Sequence, residues 1–373
     1  MAQRSWLSRT LGVVRTCFFY VGIGSLSLVA FPLCTGTRLL FGHRWAKRLH
    51  EIILGYGSLM WMGSIGLWSG RLVETPAVEL LRQEGWRRSF VVAPNHASFI
   101  DHCLVSYLPI PKKYLTKQSY FSLPVFGWSQ WIVGDIGVDV ASRESRALSL
   151  QACDAMLKSS SAPSSVVIYP EGTRSPDAPA LRPFRDGAFR LALSSGSPVL
   201  PCVLVNTYRA MPHGMRAGYA EMLIITGQPL RVESEEDIPR VRELVRDWMA
   251  FILELYENAP DGDIEAVTAQ IERCAGVPLP PYHAAVGTPA ETGDLPMHLV
   301  DLEVFGAWRQ ALVTEAVSKV LEEVEPEPAL VEAESEPASA EAEPESAMAE
   351  AEASVGATLS KTVVETGIET VAE

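Results

Sequence analysis

The chain has 373 residues, 47% of them hydrophobic, and a formal net charge of −14, room for one large domain with extensions or for two domains. From Glu322 onward fifteen glutamates stand against one lysine, Lys361, so the whole net charge lies there and the body is neutral, without the basic stripe of a nucleic-acid binder. Six scattered cysteines with no Cys-x-x-Cys pair argue against a zinc site and a disulfide framework and fit a reducing, cytoplasmic setting.

Residues 1–75 read as a membrane-associated region. Arg4, Arg9 and Arg15 lead into an uncharged run from Thr16 to Thr37, and a second uncharged run goes from Ile52 to Gly70. As helices they reach roughly 25–33 Å, near the thickness of the hydrocarbon layer. A hydrophobic helical pair is therefore expected, either crossing and returning or dipping into one leaflet with its tryptophans near the headgroups. Basic residues flank every end, so charge gives no orientation. Phe31-Pro32-Leu33-Cys34 lacks the small-x-small pattern of a cleaved signal peptide.

Residues 76–260 alternate short apolar runs with helical stretches, the mark of an α/β domain. Strands are predicted at Phe90–Ala93, Ile132–Val140, Val166–Tyr169, Val199–Val205 and Met222–Thr226. Helices are predicted at Asp101–Leu108, Arg143–Lys158, Phe184–Ser194 and Ile238–Glu257, the last with a core-facing stripe from Val241 to Leu255. Residues 261–321 form an extension with a predicted helix over Leu299–Leu321. Residues 322–373 form an acidic tail, whose Glu/Ala/Pro-rich part from Glu322 to Glu352 is expected to be disordered.

Four stretches carry chemistry. In Asn95-His96-Ala97-Ser98-Phe99-Ile100-Asp101-His102, a strand stops at Pro94 and a helix follows with Ser98 at N-cap spacing. His96 then sits in a strand-to-helix turn with Asp101 facing back toward it. A carboxylate on one ring nitrogen leaves the other free to take a proton from a hydroxyl. A plain helix cap with a favourable Asp101 would use the same residues. In Tyr169-Pro170-Glu171-Gly172-Thr173-Arg174-Ser175, a strand end presents a planar guanidinium suited to phosphate, beside a glycine that permits close approach. The stretch from Lys117 through Trp128 to Arg143 mixes aromatic, apolar and turn residues with a cation at each end. Val199-Leu200-Pro201-Cys202 reads as a buried strand.

In order and spacing these stretches resemble the four blocks of the PlsC-like 1-acyl-glycerol-3-phosphate acyltransferases. The likeness runs from about Gly85 to Pro229 and includes Phe184-Arg185-Asp186-Gly187-Ala188-Phe189. One departure stands out. The family's second block usually ends in an adjacent Asp-Arg, whereas here Val140, Ala141 and Ser142 separate Asp139 from Arg143. The resemblance implies a central mixed β-sheet flanked by helices, on the cytoplasmic side of the inner membrane. It implies His96 and Asp101 as catalytic, with Glu171, Gly172, Thr173, Arg174, Arg143 and Lys117 binding substrate. His96 would activate the free hydroxyl of a lysophospholipid to attack an acyl-CoA or acyl-carrier-protein thioester, with no metal and no cofactor beyond that co-substrate. Backbone N–H groups near Gly172 or at the helix entry after Ser98 are the candidate oxyanion donors. Other acceptors (glycerol-3-phosphate, a lyso-ornithine lipid, another lysophospholipid), a thioester hydrolase and a non-catalytic lipid-binding protein remain alternatives. No Gly-x-Ser-x-Gly elbow is present to serve a hydrolase.

Overall fold

The computed structural model describes residues 2–159, 162–212, 216–258, 265 and 267–269. The predicted helix at Leu299–Leu321, the expected disorder of Glu322–Glu352 and Cys274 lie outside the described residues. The chain begins with a helical hairpin. Helix α1 spans Ala2–Phe41, and Gly42, at φ 83°, turns it into α2, His43–His50. A π-helical stretch, Glu51–Tyr56, carries α2 into α3, Gly57–Gly63. Next come β1 (Trp68–Leu72), α4 (Pro76–Glu84), β2 (Val91–Pro94) and α5 (Asp101–Val105). Strand β3 (Lys112–Lys117), a 3-10 turn at Gln118–Ser122, α6 (Phe126–Ile132) and β4 (Ile136–Val138) follow. Helix α7 (Arg143–Leu157), β5 (Ser165–Val167), α8 (Gly187–Ser195) and β6 (Val199–Val205) come next. The described elements end with α9 (Thr207–Ala210), β7 (Ala220–Thr226) and α10 (Asp237–Glu257).

The seven strands form one sheet in the order β1-β7-β6-β2-β5-β3-β4. Strands β6, β2, β5, β3 and β4 run parallel, and β7 pairs antiparallel to β6 with β1 parallel to it. The sheet is mixed, as the resemblance implied. Both faces are covered, which is why its strands read as unbroken apolar runs. Side chains alternate between two cores. Val91, Val203, Val205 and Ile225 face α7, α8 and α10, where Phe189, Val245 and Ile252 fill the layer. Val92, Leu200, Leu204 and Ile224 face the opposite way onto α5 and the hairpin, where Phe19, Met62, Leu81 and Leu104 pack.

The predicted helical pair takes a different form. Among the described residues one helix, over Thr10–Phe41, is long and apolar enough to cross a membrane. The second uncharged run is divided among the π-helical stretch, α3 and β1, and its Leu59, Met62, Leu67 and Trp68 are buried in the core of the sheet domain. The partner of α1 starts instead at His43, and its Lys47 is buried against Asp135 at 2.6 Å. An uncharged run marks burial, and a protein core supplies burial as well as lipid does. Strand β1 also begins at Trp68, inside the stretch read as the membrane-associated region. The predicted strand over Ile132–Val140 shortens to β4, because Phe126–Ile132 coils into α6.

Candidate active site

Strands β2 and β5 are parallel neighbours, so the segments leaving their carboxyl ends emerge side by side. In open α/β sheets this edge is where ligands bind. His96 follows β2 and Tyr169 to Arg174 follow β5.

The imidazole of His96 meets Asp101 through Nδ1 and Oδ2 at 2.7 Å. The same Oδ2 accepts the backbone N–H groups of Ala97, at 2.8 Å, and Ser98, at 2.9 Å. The predicted capping is thereby reversed. Asp101 opens α5 and ties down the two residues before it, while the Ser98 hydroxyl donates to Met211 O at 2.7 Å. Asp101 is fully buried and the His96 side chain is 21% exposed. With Nδ1 on the carboxylate, Nε2 faces the cleft and takes no hydrogen bond among the described residues. The ring stacks on Tyr169 with centroids 4.0 Å apart.

The turn's backbone is held from three sides. Glu171 Oε1 accepts the His96 N–H at 2.6 Å, and Oε2 accepts the Arg182 N–H at 2.9 Å. The Ser175 N–H donates to His96 O at 2.7 Å. Asn95 exchanges two hydrogen bonds with Leu204 of β6, at 3.2 and 2.7 Å. Glu171 was expected on the substrate. It is instead 2% exposed and bonded to backbone, so it positions His96. Burial raises its carboxyl above the usual range, and the two N–H groups pull it back.

A cleft of about 460 Å³ opens beside His96 Nε2. Lys117, Gly172, Thr173 and Arg174 all line it. Gly172 adopts φ 71°, a conformation that favours glycine. Arg143 does not line the cleft. It begins α7 on the exposed surface, and Arg146, almost one helical turn further on, lines the cleft instead. Arg185 and His102 are among the lining residues that went unread from sequence as site residues. His102 lies one residue past Asp101, and burial pulls its imidazole down to about 4. Apolar lining comes from Leu54, Phe99, Tyr114 and Phe126.

Several backbone N–H groups around the expected oxyanion donors are engaged within the protein. The N–H groups of Ala97 and Ser98 go to Asp101, that of Ile100 to Ser98 Oγ and that of Gly172 to Tyr169 O. Among the described residues no cluster of His, Cys, Asp and Glu could hold a metal ion. The five described cysteines are free thiols.

Residues 76–205 match the acyltransferase family model. The chain is 28% identical over 226 residues to a chloroplastic 1-acyl-sn-glycerol-3-phosphate acyltransferase of Brassica napus, covering 60% of this chain and 62% of that protein. It is 32% identical over 177 residues to one from Chlamydomonas reinhardtii, covering 46% and 52%. A third, from Haemophilus influenzae, is 29% identical over 154 residues, covering 39% and 62%. The match thus spans 52–62% of the length of these relatives. The fold is that of the crystal structure of the 1-acyl-sn-glycerophosphate acyltransferase PlsC from Thermotoga maritima, with a TM-score of 0.52 and 20% identity over 65% of this chain and 96% of that one. The histidine–aspartate pair lies inside the segment, residues 76–205, that matches the acyltransferase family model.

Proposed function

We propose that the protein transfers an acyl group from a thioester, acyl-CoA or acyl carrier protein, to the free hydroxyl of a lysophospholipid. The acceptor that fits best is 1-acyl-glycerol-3-phosphate, giving phosphatidic acid. The observation that carries this reading is the open Nε2 of His96, backed by Asp101, between an apolar lining and a cationic one. In the ground state Nδ1–H donates to Asp101 and Nε2 is basic. The acceptor hydroxyl gives its proton to Nε2 as its oxygen attacks the thioester carbonyl, and Asp101 stabilises the imidazolium. Collapse of the tetrahedral intermediate breaks the C–S bond. The sulfur leaves with the proton that His96 returns, so an ester and a free thiol result. No covalent acyl-enzyme is required, because the thioester is already activated. Positioning both substrates supplies about 7–11 kcal/mol of barrier reduction in well-oriented reactions.

Lys117 and Arg174 hold the phosphate end of the acceptor. The reading needs no metal and no cofactor other than the acyl thioester. Helix α1 lies at a membrane, with the catalytic domain on the cytoplasmic face of the inner membrane. Mass spectrometry of the products from full-length protein offered mixed acyl thioesters and mixed lysolipids tests the reading. Phosphatidic acid carrying an offered acyl chain is expected. Release of free fatty acid without ester formation would establish a hydrolase instead.

A further inference from the structure

A second recess gathers positive charge at the amino ends of the strands, the edge opposite the one that carries His96. Lys112 opens β3, Ser164 immediately precedes β5 and Trp86 stands before β2. Five cations, Arg44, Lys47, Arg48, Lys112 and Lys113, line this recess with one carboxylate, Glu51. Asp135 answers Lys47 at 2.6 Å. Glu51 Oε2 is shared by Lys112 at 3.1 Å and Arg48 at 3.7 Å. Lys113 donates to the carbonyls of Val133 and His43, and burial together with Lys47 pulls its ammonium down to about 8. Arg44 donates to Trp86 O at 3.3 Å and lies over that indole, 5.0 Å from the ring centroid. Glu84, near Trp86 in sequence, pairs with Arg88 at 3.7 Å. Five cations thus meet two carboxylates among the described residues, which leaves a surplus of positive charge in a half-dry place.

Two polar atoms in the wall point to a ligand. Ser164 is 5% exposed and its Oγ has no hydrogen-bond partner among the described residues, and Arg44 Nε is likewise buried and unpartnered. Both can donate, and a buried donor without an acceptor is costly. The recess, about 10 Å³, admits one oxygen-sized group. Its surroundings name the source of that oxygen. Trp45 and Trp86 flank it with ring centroids 6.2 Å apart, 58% and 41% exposed. Leu39, Leu40 and Phe41, also exposed, run straight into α2. Tryptophans and cations at the end of an apolar helix are the pattern of the headgroup level of a bilayer.

We infer that this recess is a headgroup site for an anionic membrane phospholipid. One phosphodiester oxygen enters it and accepts from Ser164 Oγ and Arg44 Nε, and the surplus cations balance its charge. The site is distinct from the catalytic cleft and does not depend on the acyl-transfer reading. Lys47 and Glu51 also line that cleft, so the test leaves them in place. Full-length wild type, Arg44→Gln, Ser164→Val and Ser164→Ala are titrated with phosphatidylcholine vesicles with and without phosphatidylglycerol. The preference for phosphatidylglycerol should fall about fivefold in Arg44→Gln, the worth of one basic residue at such a surface. Ser164→Val changes no charge but fills the recess, so a comparable loss there separates a built site from diffuse attraction. Ser164→Ala only removes an unpartnered hydroxyl; it should melt as wild type does, lose part of the preference, and decide the matter if Ser164→Val fails to fold. Binding to pure phosphatidylcholine should be unchanged throughout. A full preference in both serine variants would reduce the recess to surface charge and overturn the site. Calorimetry with inorganic phosphate distinguishes the other source. Saturable phosphate binding that Ser164→Val abolishes without touching the vesicle preference would assign the recess to soluble phosphate and overturn the lipid.

Discussion

Asp101 Oδ2 collects three N–H groups, two from the backbone and one from the ring of His96. That saturation fixes which nitrogen of His96 carries the proton, and so which one is left to accept one. His102, on the same helix, has the opposite role. It lines the cleft; its Nδ1 contacts Phe99 O at 2.9 Å, its Nε2 contacts Cys103 Sγ at 3.5 Å, and burial holds the ring neutral down to about pH 4. The unfolded chain protonates this side chain below its ordinary value of 6.5, whereas the folded chain does so only near 4. Acidification through that window therefore favours unfolding, by an amount on the order of 3 kcal/mol. The melting temperature should fall between pH 7 and pH 4.5, and His102→Gln should remove part of that fall. An identical pH slope in the variant would show that His102 does not titrate in this way.

Strand β3 carries the heaviest hidden charge. Lys112 is fully buried, 3.1 Å from Glu51 Oε2, and also reaches the carbonyls of Leu108 and Ile110 at 3.0 and 3.3 Å. Its ammonium is pulled down by burial and partly restored by Glu51. This pair fastens the π-helical stretch to the sheet. Removing Lys112 leaves the buried Glu51 with only the part-exposed Arg48, 3.7 Å away, so Lys112→Met should cost about 3 kcal/mol. Glu51→Leu in the same chain should recover most of it. Denaturant midpoints of the single and double variants check this, and a double variant no better than the single one would refute it. The same lysines explain why β3 went unread. Lys112-Lys113-Tyr114 looks like surface in a sequence, because the groups that neutralise it arrive from the hairpin. Strand β6, by contrast, lies where its unbroken apolar run placed it, at Val199–Val205. The His96 turn and the Tyr169 to Arg174 turn were legible because each follows a strand directly. Arg185 was not, since it reaches Gly172 only after the chain loops away and returns to Pro170.

At the scale of the whole molecule, α1 divides its surface between protein and solvent. One face docks on the domain, with Phe18 stacked on Trp61 at 4.7 Å and Arg38 donating to Ile132 O at 2.8 Å. The other leaves Val21, Leu28, Leu33, Leu39 and Leu40 exposed. An apolar face of this extent needs a cover, and the proposed function makes a bilayer the cover to test. Replacing Leu28, Leu33 and Leu39 together by serine should shift the protein from sedimenting with anionic vesicles to the supernatant. Retention on vesicles would assign membrane contact to another surface.

Everything in the catalytic account passes through one nitrogen, so steady-state turnover of His96→Ala is the most direct test. With acyl-CoA and lysophosphatidic acid as substrates, kcat should fall by about 10²–10⁴-fold, the usual worth of a general base. The melting temperature should be unchanged, and phosphomonoester binding should remain close to that of wild type. A His96→Ala protein that still forms phosphatidic acid at the wild-type rate would contradict the account.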